Sequence, residues 1–205
     1  MKARETAKNK AERLVIGLSG ASGVAYGIRA LEACRQLGIE SHLVMTKPAE
    51  MTIGYETELS PRQVAAKADF SYAVADIAAP IASGSFKTKG MIVAPCSVRT
   101  MSEIATGVTT SLLTRAADVM LKERRPLVLM VRETPLHLGH LRTMVRLAEM
   151  GAVIAPPLPA FYAKPTSLEE MVDQSVGRAL DLFGLAWTPV KRWGEDVGPI
   201  GVGGR

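Results

Sequence analysis

The chain has 205 residues, enough for one domain with a sizeable core, and its 47% hydrophobic and 22% charged residues are ordinary for a globular protein. No apolar run approaches the roughly 20 residues of a membrane span, and the charged start Met1–Lys10 has no apolar core for a secretory signal, so a cytoplasmic protein without a membrane segment is expected. The formal charge is +5, but residues 1–13 carry +3 of it; with +2 left for the folded remainder and only 5% aromatics, a local anion pocket is favoured over a nucleic-acid surface.

In chain order, residues 1–12 read as a disordered leader. An apolar strand at Arg13–Leu18 runs into the turn Ser19-Gly20-Ala21-Ser22-Gly23, and a helix is predicted over Val24–Leu37 with Gly38 as its left-handed cap. The turn predicts an anion site: unpaired N–H groups at a helix N-terminus, beside a hydroxyl, with no bulky side chain in the way. It matches neither G-x-G-x-x-G nor the P-loop, and such turns also serve packing alone. Further strands are predicted at Glu40–Met45, Met91–Ala94, Leu127–Val131 and Ala152–Ile154. Helices are predicted at Pro61–Lys67, Thr110–Lys122, His137–Met150 (capped by Gly151) and Leu168–Phe183. Near-continuous apolar strands alternating with helices define a doubly wound, three-layer α/β fold over residues 13–188, with ligands expected at the carboxyl ends of the strands. Asp76–Gly90 reads as a long functional loop. The tail, residues 189–205, lacks a core-forming pattern, which leaves it disordered or packed on a neighbouring subunit.

Three further places carry charge or small polar groups. After the strand at Met91, Pro95-Cys96-Ser97-Val98-Arg99-Thr100 opens a helix at the same sheet edge as the first turn, where Ser97 serves as a cap or faces a ligand. Arg115 and Lys122, two helical turns apart, project from one face and form either a phosphate clamp or a solvated surface. Arg132 and Glu133 end a buried strand, where charge is costly unless paired or bound to something. Cys34 falls on the apolar rhythm of its helix, and Cys96 reads as a structural or ligand-facing thiol. His137 and His140 lack a third ligand nearby and read as capping or surface residues, so no metal site is expected. Glu56 and Tyr162 are unremarkable in isolation.

Seven blocks taken together, GLSGASG, SGSFKTKGMIVAPCS, ATG, RAADVMLKERRPLVL, RETPLHLGHL, MGAVIAPPLPAFY and RWGE, closely resemble the UbiX-type flavin prenyltransferases over about residues 13–195. The resemblance implies a Rossmann-like, flavodoxin-type subunit in a homododecamer built from trimers, with active sites between subunits. It also implies the reaction: a dimethylallyl group passes from dimethylallyl monophosphate to N5 and C6 of reduced FMN without a metal. The prenylated FMN produced serves a UbiD-type decarboxylase.

By position, the resemblance assigns FMN contacts to Gly20, Ala21, Ser22, Thr46, Ser97, Val98, Arg99, Thr100 and Arg132. It places Tyr162, Arg178 and Lys122 on the prenyl phosphate, with Trp193 as an aromatic wall. Ser22, Glu56, Glu133 and Arg115 become catalytic, Glu133 as the acid for the departing phosphate and Glu56 with Ser22 as a relay for the flavin C6 proton. Many members carry Trp at Ile77, Asn at Ser111, Pro at Val131 and His at Ala163. Two other readings use the same fold. A flavin-dependent cysteine decarboxylase would carry a P-A-S-A-N-T block where Pro95–Thr100 stands, and an FMN carrier subunit would have no use for Glu56, Glu133 and Tyr162.

Overall fold

The structure is a computed structural model that describes residues 12–198. The expected leader, apart from Glu12, and residues 199–205 of the tail lie outside the described residues. Strands β1 (Arg13–Leu18), β2 (Glu40–Met45), β3 (Phe70–Tyr72), β4 (Met91–Cys96), β5 (Leu127–Val131) and β6 (Val153–Ile154) form one parallel sheet. Around it lie helices α1 (Val24–Leu37), α2 (Lys47–Glu56), α3 (Pro61–Ala65), α4 (Val98–Thr106), α5 (Leu112–Lys122), α6 (Leu138–Glu149) and α7 (Leu168–Asp181).

The strand order is β3-β2-β1-β4-β5-β6. The five strands expected from the sequence follow the flavodoxin order, and the short unexpected β3 extends the outer edge to give the full doubly wound order. The chain reverses its direction of travel across the sheet between β1 and β4. A crevice opens above their carboxyl ends for that reason, because the crossovers leave on opposite sides there.

Alternation along the strands builds two cores. Leu14, Ile16 and Leu18 of β1 join Leu43, Ile92 and Val128 beneath α1, α2 and α7. Val15, Val44, Val93 and Leu129 face the other way, beneath α4, α5 and α6. With both faces covered, β1, β4 and β5 are buried almost throughout, which is why they read as continuous apolar runs.

Three elements differ from the sequence expectation. β3 is a three-residue edge strand with two exposed residues, too short for a period to register. α2 buries only Ala49 and Ile53, so its apolar signal is weak; its marks are the Thr46 cap and a proline in the first turn. The tail to residue 198 is not free: Val190 is buried, and Arg192 holds Asp181 of its own α7 with two hydrogen bonds at 2.8 and 3.0 Å.

α1 crosses the sheet at Gly27, where a Cβ would fall well inside contact distance of the Ala94 carbonyl oxygen and the Leu18 side chain. A Gly27→Ala variant is expected to lose about 1–3 kcal/mol through overpacking, and roughly 2–4 °C of Tm per kcal/mol for a chain of this size. An unchanged Tm in a thermal melt would contradict this close approach.

Candidate active site

Ser19 joins the two turns at the crevice. It is fully buried, its hydroxyl donates to the Pro95 carbonyl at 2.9 Å, and it accepts from the Ser97 N–H at 2.8 Å. The end of β1 and the start of α4 are thereby fixed to each other. Gly20 leaves room for the first turn of α2, since a Cβ there would collide with Pro48.

Beside this staple lies a cleft of about 460 Å³, lined in part by Gly20, Thr46, Lys47, Ser97, Thr100 and Ser111. Three helix N-termini meet around it. Each is capped by a hydroxyl that accepts a backbone N–H: Thr46 from Ala49, Ser97 from Thr100 and Ser111 from Thr114, all at 3.2 Å. Capping uses an oxygen lone pair, so these hydroxyl groups keep a proton to donate. Ser97 directs a donor bond to the Thr100 hydroxyl at 3.2 Å. The aligned peptide dipoles of α2, α4 and α5 make this cleft electropositive. Its charged side chains are largely self-neutralised, with Lys47 on Glu50 and Arg99 on Glu103 at 2.8 and 2.9 Å.

The turn expected to hold an external anion already holds one of the protein's own. The Glu56 carboxylate reaches back from the end of α2 and accepts the Gly23 N–H at 2.8 and 3.1 Å and the Val24 N–H at 3.0 Å. α1 is thus charge-compensated internally, and the helix N-termini that border the cleft are those of α2, α4 and α5. Ser22 is exposed and immediately precedes Gly23, one of the two residues on which Glu56 is seated.

Arg132 and Glu133 are not buried as expected. Arg132 is exposed, and Glu133 is part-exposed with its carboxylate on the Thr134 N–H at 2.9 Å. The burial of β5 stops at Val131, so the cost anticipated for charge at this strand end does not arise. Arg132 does lie near Tyr26, whose hydroxyl burial pushes to a higher pKa while the guanidinium pulls it back.

Nor do Arg115 and Lys122 clamp the cleft. Arg115 donates to the Ala82 carbonyl and pairs with Asp118 at 2.7 Å, tying the Asp76–Gly90 loop to α5. Lys122 pairs with Glu123 and lies on the far end of α5 from Ser111, roughly 16 Å away at about 1.5 Å per residue. Ile77 is exposed on the loop.

A second cluster stands on α7 and the segment before it. Tyr162 meets Trp193 edge-on, with ring centroids 5.6 Å apart. Arg178 pairs with Asp181 at 2.6 Å and lines a separate hollow of about 160 Å³. Neither Tyr162 nor Arg178 borders the 460 Å³ cleft. Reasoning from sequence missed Ser19, Lys47 and Gln174; for Gln174 the available signal was a polar residue on the apolar stripe of a helix.

The cysteines are packing residues. Burial pushes both the Cys34 and the Cys96 thiol up to about 12, with Asp69 adding to the effect at Cys34. His137 caps α6, its Nδ1 accepting the Gly139 N–H at 3.0 Å. His42 is buried in β2 between Tyr72 and Glu40 and stacks on Phe70. Among the described residues there is no group of three or more His, Cys, Asp or Glu placed to hold a metal ion.

Helix N-termini gathered at the switch point of a parallel α/β sheet are where such folds bind nucleotide phosphates. A family model described as Flavoprotein matches residues 2–180. The flavin prenyltransferase UbiX of Escherichia coli K12 is 57% identical over 175 residues, 85% of this chain and 93% of that one. The crystal structure of AnUbiX (PadA1), in complex with FMN and dimethylallyl pyrophosphate, matches with a TM-score of 0.89 at 52% identity, over 90% of this chain and 98% of that one. A dodecameric FMN-dependent UbiX-like decarboxylase from Escherichia coli O157:H7 matches at 0.86 and 49% identity, over 88% and 98%. The chain belongs to the UbiX-type flavin prenyltransferases.

With thiols held protonated at pH 8, neither cysteine is expected to react with an aromatic disulfide reagent in the native protein, and both are expected to react on unfolding. Rapid labelling of Cys96 in the folded protein would contradict its placement.

Proposed function

We propose that this protein transfers a dimethylallyl group from dimethylallyl monophosphate to N5 and C6 of reduced FMN, and that the prenylated flavin serves a UbiD-type decarboxylase. Membership of the flavin prenyltransferases supports the reaction. The observation that carries the residue assignment is the meeting of three hydroxyl-capped helix N-termini around one cleft. Thr46, Ser97 and Thr100 would grip the FMN phosphate with hydroxyl and backbone N–H groups. Gly20, Ala21, Val98, Arg99 and Arg132 would border the rest of the flavin.

Breaking the C–O bond of an allylic phosphate separates an allyl cation from a phosphate anion that takes up a proton as it departs. The protein's task is to stabilise the anion, shelter the cation and handle two protons. Tyr162 and Arg178 would hold the departing phosphate, with Trp193 walling the prenyl group. Glu133 would protonate the phosphate, and Glu56 with Ser22 would take the proton released at C6. The seat on α1 fixes the Glu56 carboxylate beside the turn that carries Ser22, through hydrogen bonds from the Gly23 and Val24 N–H groups.

One protomer does not bring these groups together, since Tyr162, Arg178, Arg115 and Lys122 lie off the flavin cleft. The site is therefore proposed to be completed between copies of the chain in a homo-oligomer, as a dodecamer of trimers. A neighbouring copy would add cations from Arg115 and Lys122 and bury the half-exposed Glu133, whose acid role needs desolvation.

Incubation with reduced FMN and dimethylallyl monophosphate is expected to yield a flavin heavier by one C5H8 unit. Unchanged FMN that remains bound would contradict transfer and favour a carrier. Glu133→Gln is expected to bind both ligands and turn over about 10²–10⁴-fold more slowly, the usual range for a general acid. Full turnover in that variant would remove Glu133 from the acid role.

A further inference from the structure

Gln174 lies on the inner face of α7 and is only 4% exposed, a costly place for an amide unless its hydrogen bonds are made. They are made. The Lys191 N–H donates to Oε1 at 2.9 Å, while Nε2 donates to the Lys191 carbonyl at 3.0 Å and to the Tyr162 hydroxyl oxygen at 3.2 Å. A backbone N–H can only donate, so Lys191 fixes which end of the amide is oxygen and leaves the NH₂ end for Tyr162. The Tyr162 oxygen is an acceptor in this pair, and its own proton stays free for another partner.

The same two bonds to Lys191 hold the chain two residues before Trp193, whose ring abuts Tyr162. Lys191 is held again where its Nζ donates to the Ala163 carbonyl at 3.0 Å, next to Tyr162. Arg178 follows Gln174 by one turn of α7. One buried amide thus connects the phenol, the aromatic wall and the helix that carries the arginine.

We propose that Gln174 is a positioning residue for prenyl transfer. It turns the Tyr162 proton toward the phosphate of the prenyl donor. This rests on the reading of Tyr162 as a phosphate-holding group. Gln174 touches neither substrate; its effect passes through the tyrosine.

The test is a double-variant cycle read as KM for dimethylallyl monophosphate, kcat, and FMN dissociation constant. In Gln174→Glu the carboxylate can only accept, so the Tyr162 hydroxyl must donate to it and turns away from the donor. The expected result is a rise in KM of about tenfold, the size of one hydrogen bond to a charged group. FMN affinity should hold, and no further rise should appear when the change is added to Tyr162→Phe. Independent effects in the double variant, or equal loss of FMN and donor binding, would overturn the proposal and leave the role of Tyr162 standing. A normal KM in Tyr162→Phe alone would overturn that role instead. Should the glutamate variant fail to fold, Gln174→Met fills the space without a donor and carries the same expectation. A wild-type crystal with the donor bound gives the check without any substitution: the Tyr162 oxygen should keep Gln174 and gain a phosphate oxygen, and a phenol swung away from Gln174 would overturn the proposal.

Discussion

A parallel sheet brings the N-terminus of each crossover helix to one edge, and the positive ends of those helices must be met there by something negative. This constraint governs the whole molecule. At α1 the protein supplies the charge itself, through the Glu56 carboxylate on Gly23 and Val24. At α2, α4 and α5 the caps are neutral hydroxyls, Thr46, Ser97 and Ser111, and the one acid in those first turns, Glu50 of α2, is paired with Lys47. The uncompensated field falls in one cleft, so the fold itself specifies where an anionic ligand gains most. Ser19 then keeps the cleft from opening, because its hydroxyl connects the turns on either side of the switch point.

Division of labour follows from that arrangement. The edge proposed for the flavin is one whose donors are set by hydroxyl caps and by the Ser19 staple. Groups assigned to the prenyl phosphate sit elsewhere, on α7, on the far end of α5 and on the strap around Trp193. Such separation suits a transfer between two substrates that must be kept apart until a closed, dry site exists. It also gives a physical reason for assembly: an isolated protomer leaves Glu133 half-solvated and Tyr162 at the surface.

The framework was legible in the sequence where burial was complete. β1, β2 and β5 and the whole of α1 have the expected bounds: glycines flank α1, and charged residues and a proline bracket the apolar run of β5. β3 escaped notice because three residues at a sheet edge carry no period. The site was legible in its residue types but not in its partnerships. Glu56 and Gly23 are separated by 33 positions, so nothing local reveals that the carboxylate occupies the helix end. The paired spacing of Arg115 and Lys122 suggested a clamp, yet each has a nearer acid, Asp118 and Glu123. A buried strand ending in Arg132 and Glu133 suggested buried charge, whereas the chain surfaces at Thr134.

The central claim concerns where the negative end of the ligand goes. A crystal structure of the protein with FMN bound decides it. The phosphate is expected among the first turns of α2, α4 and α5, within hydrogen-bond distance of Ser97 and Thr100, with Glu56 still seated on Gly23 and Val24. A phosphate found on the Gly23 and Val24 N–H groups, with Glu56 displaced, would contradict the account.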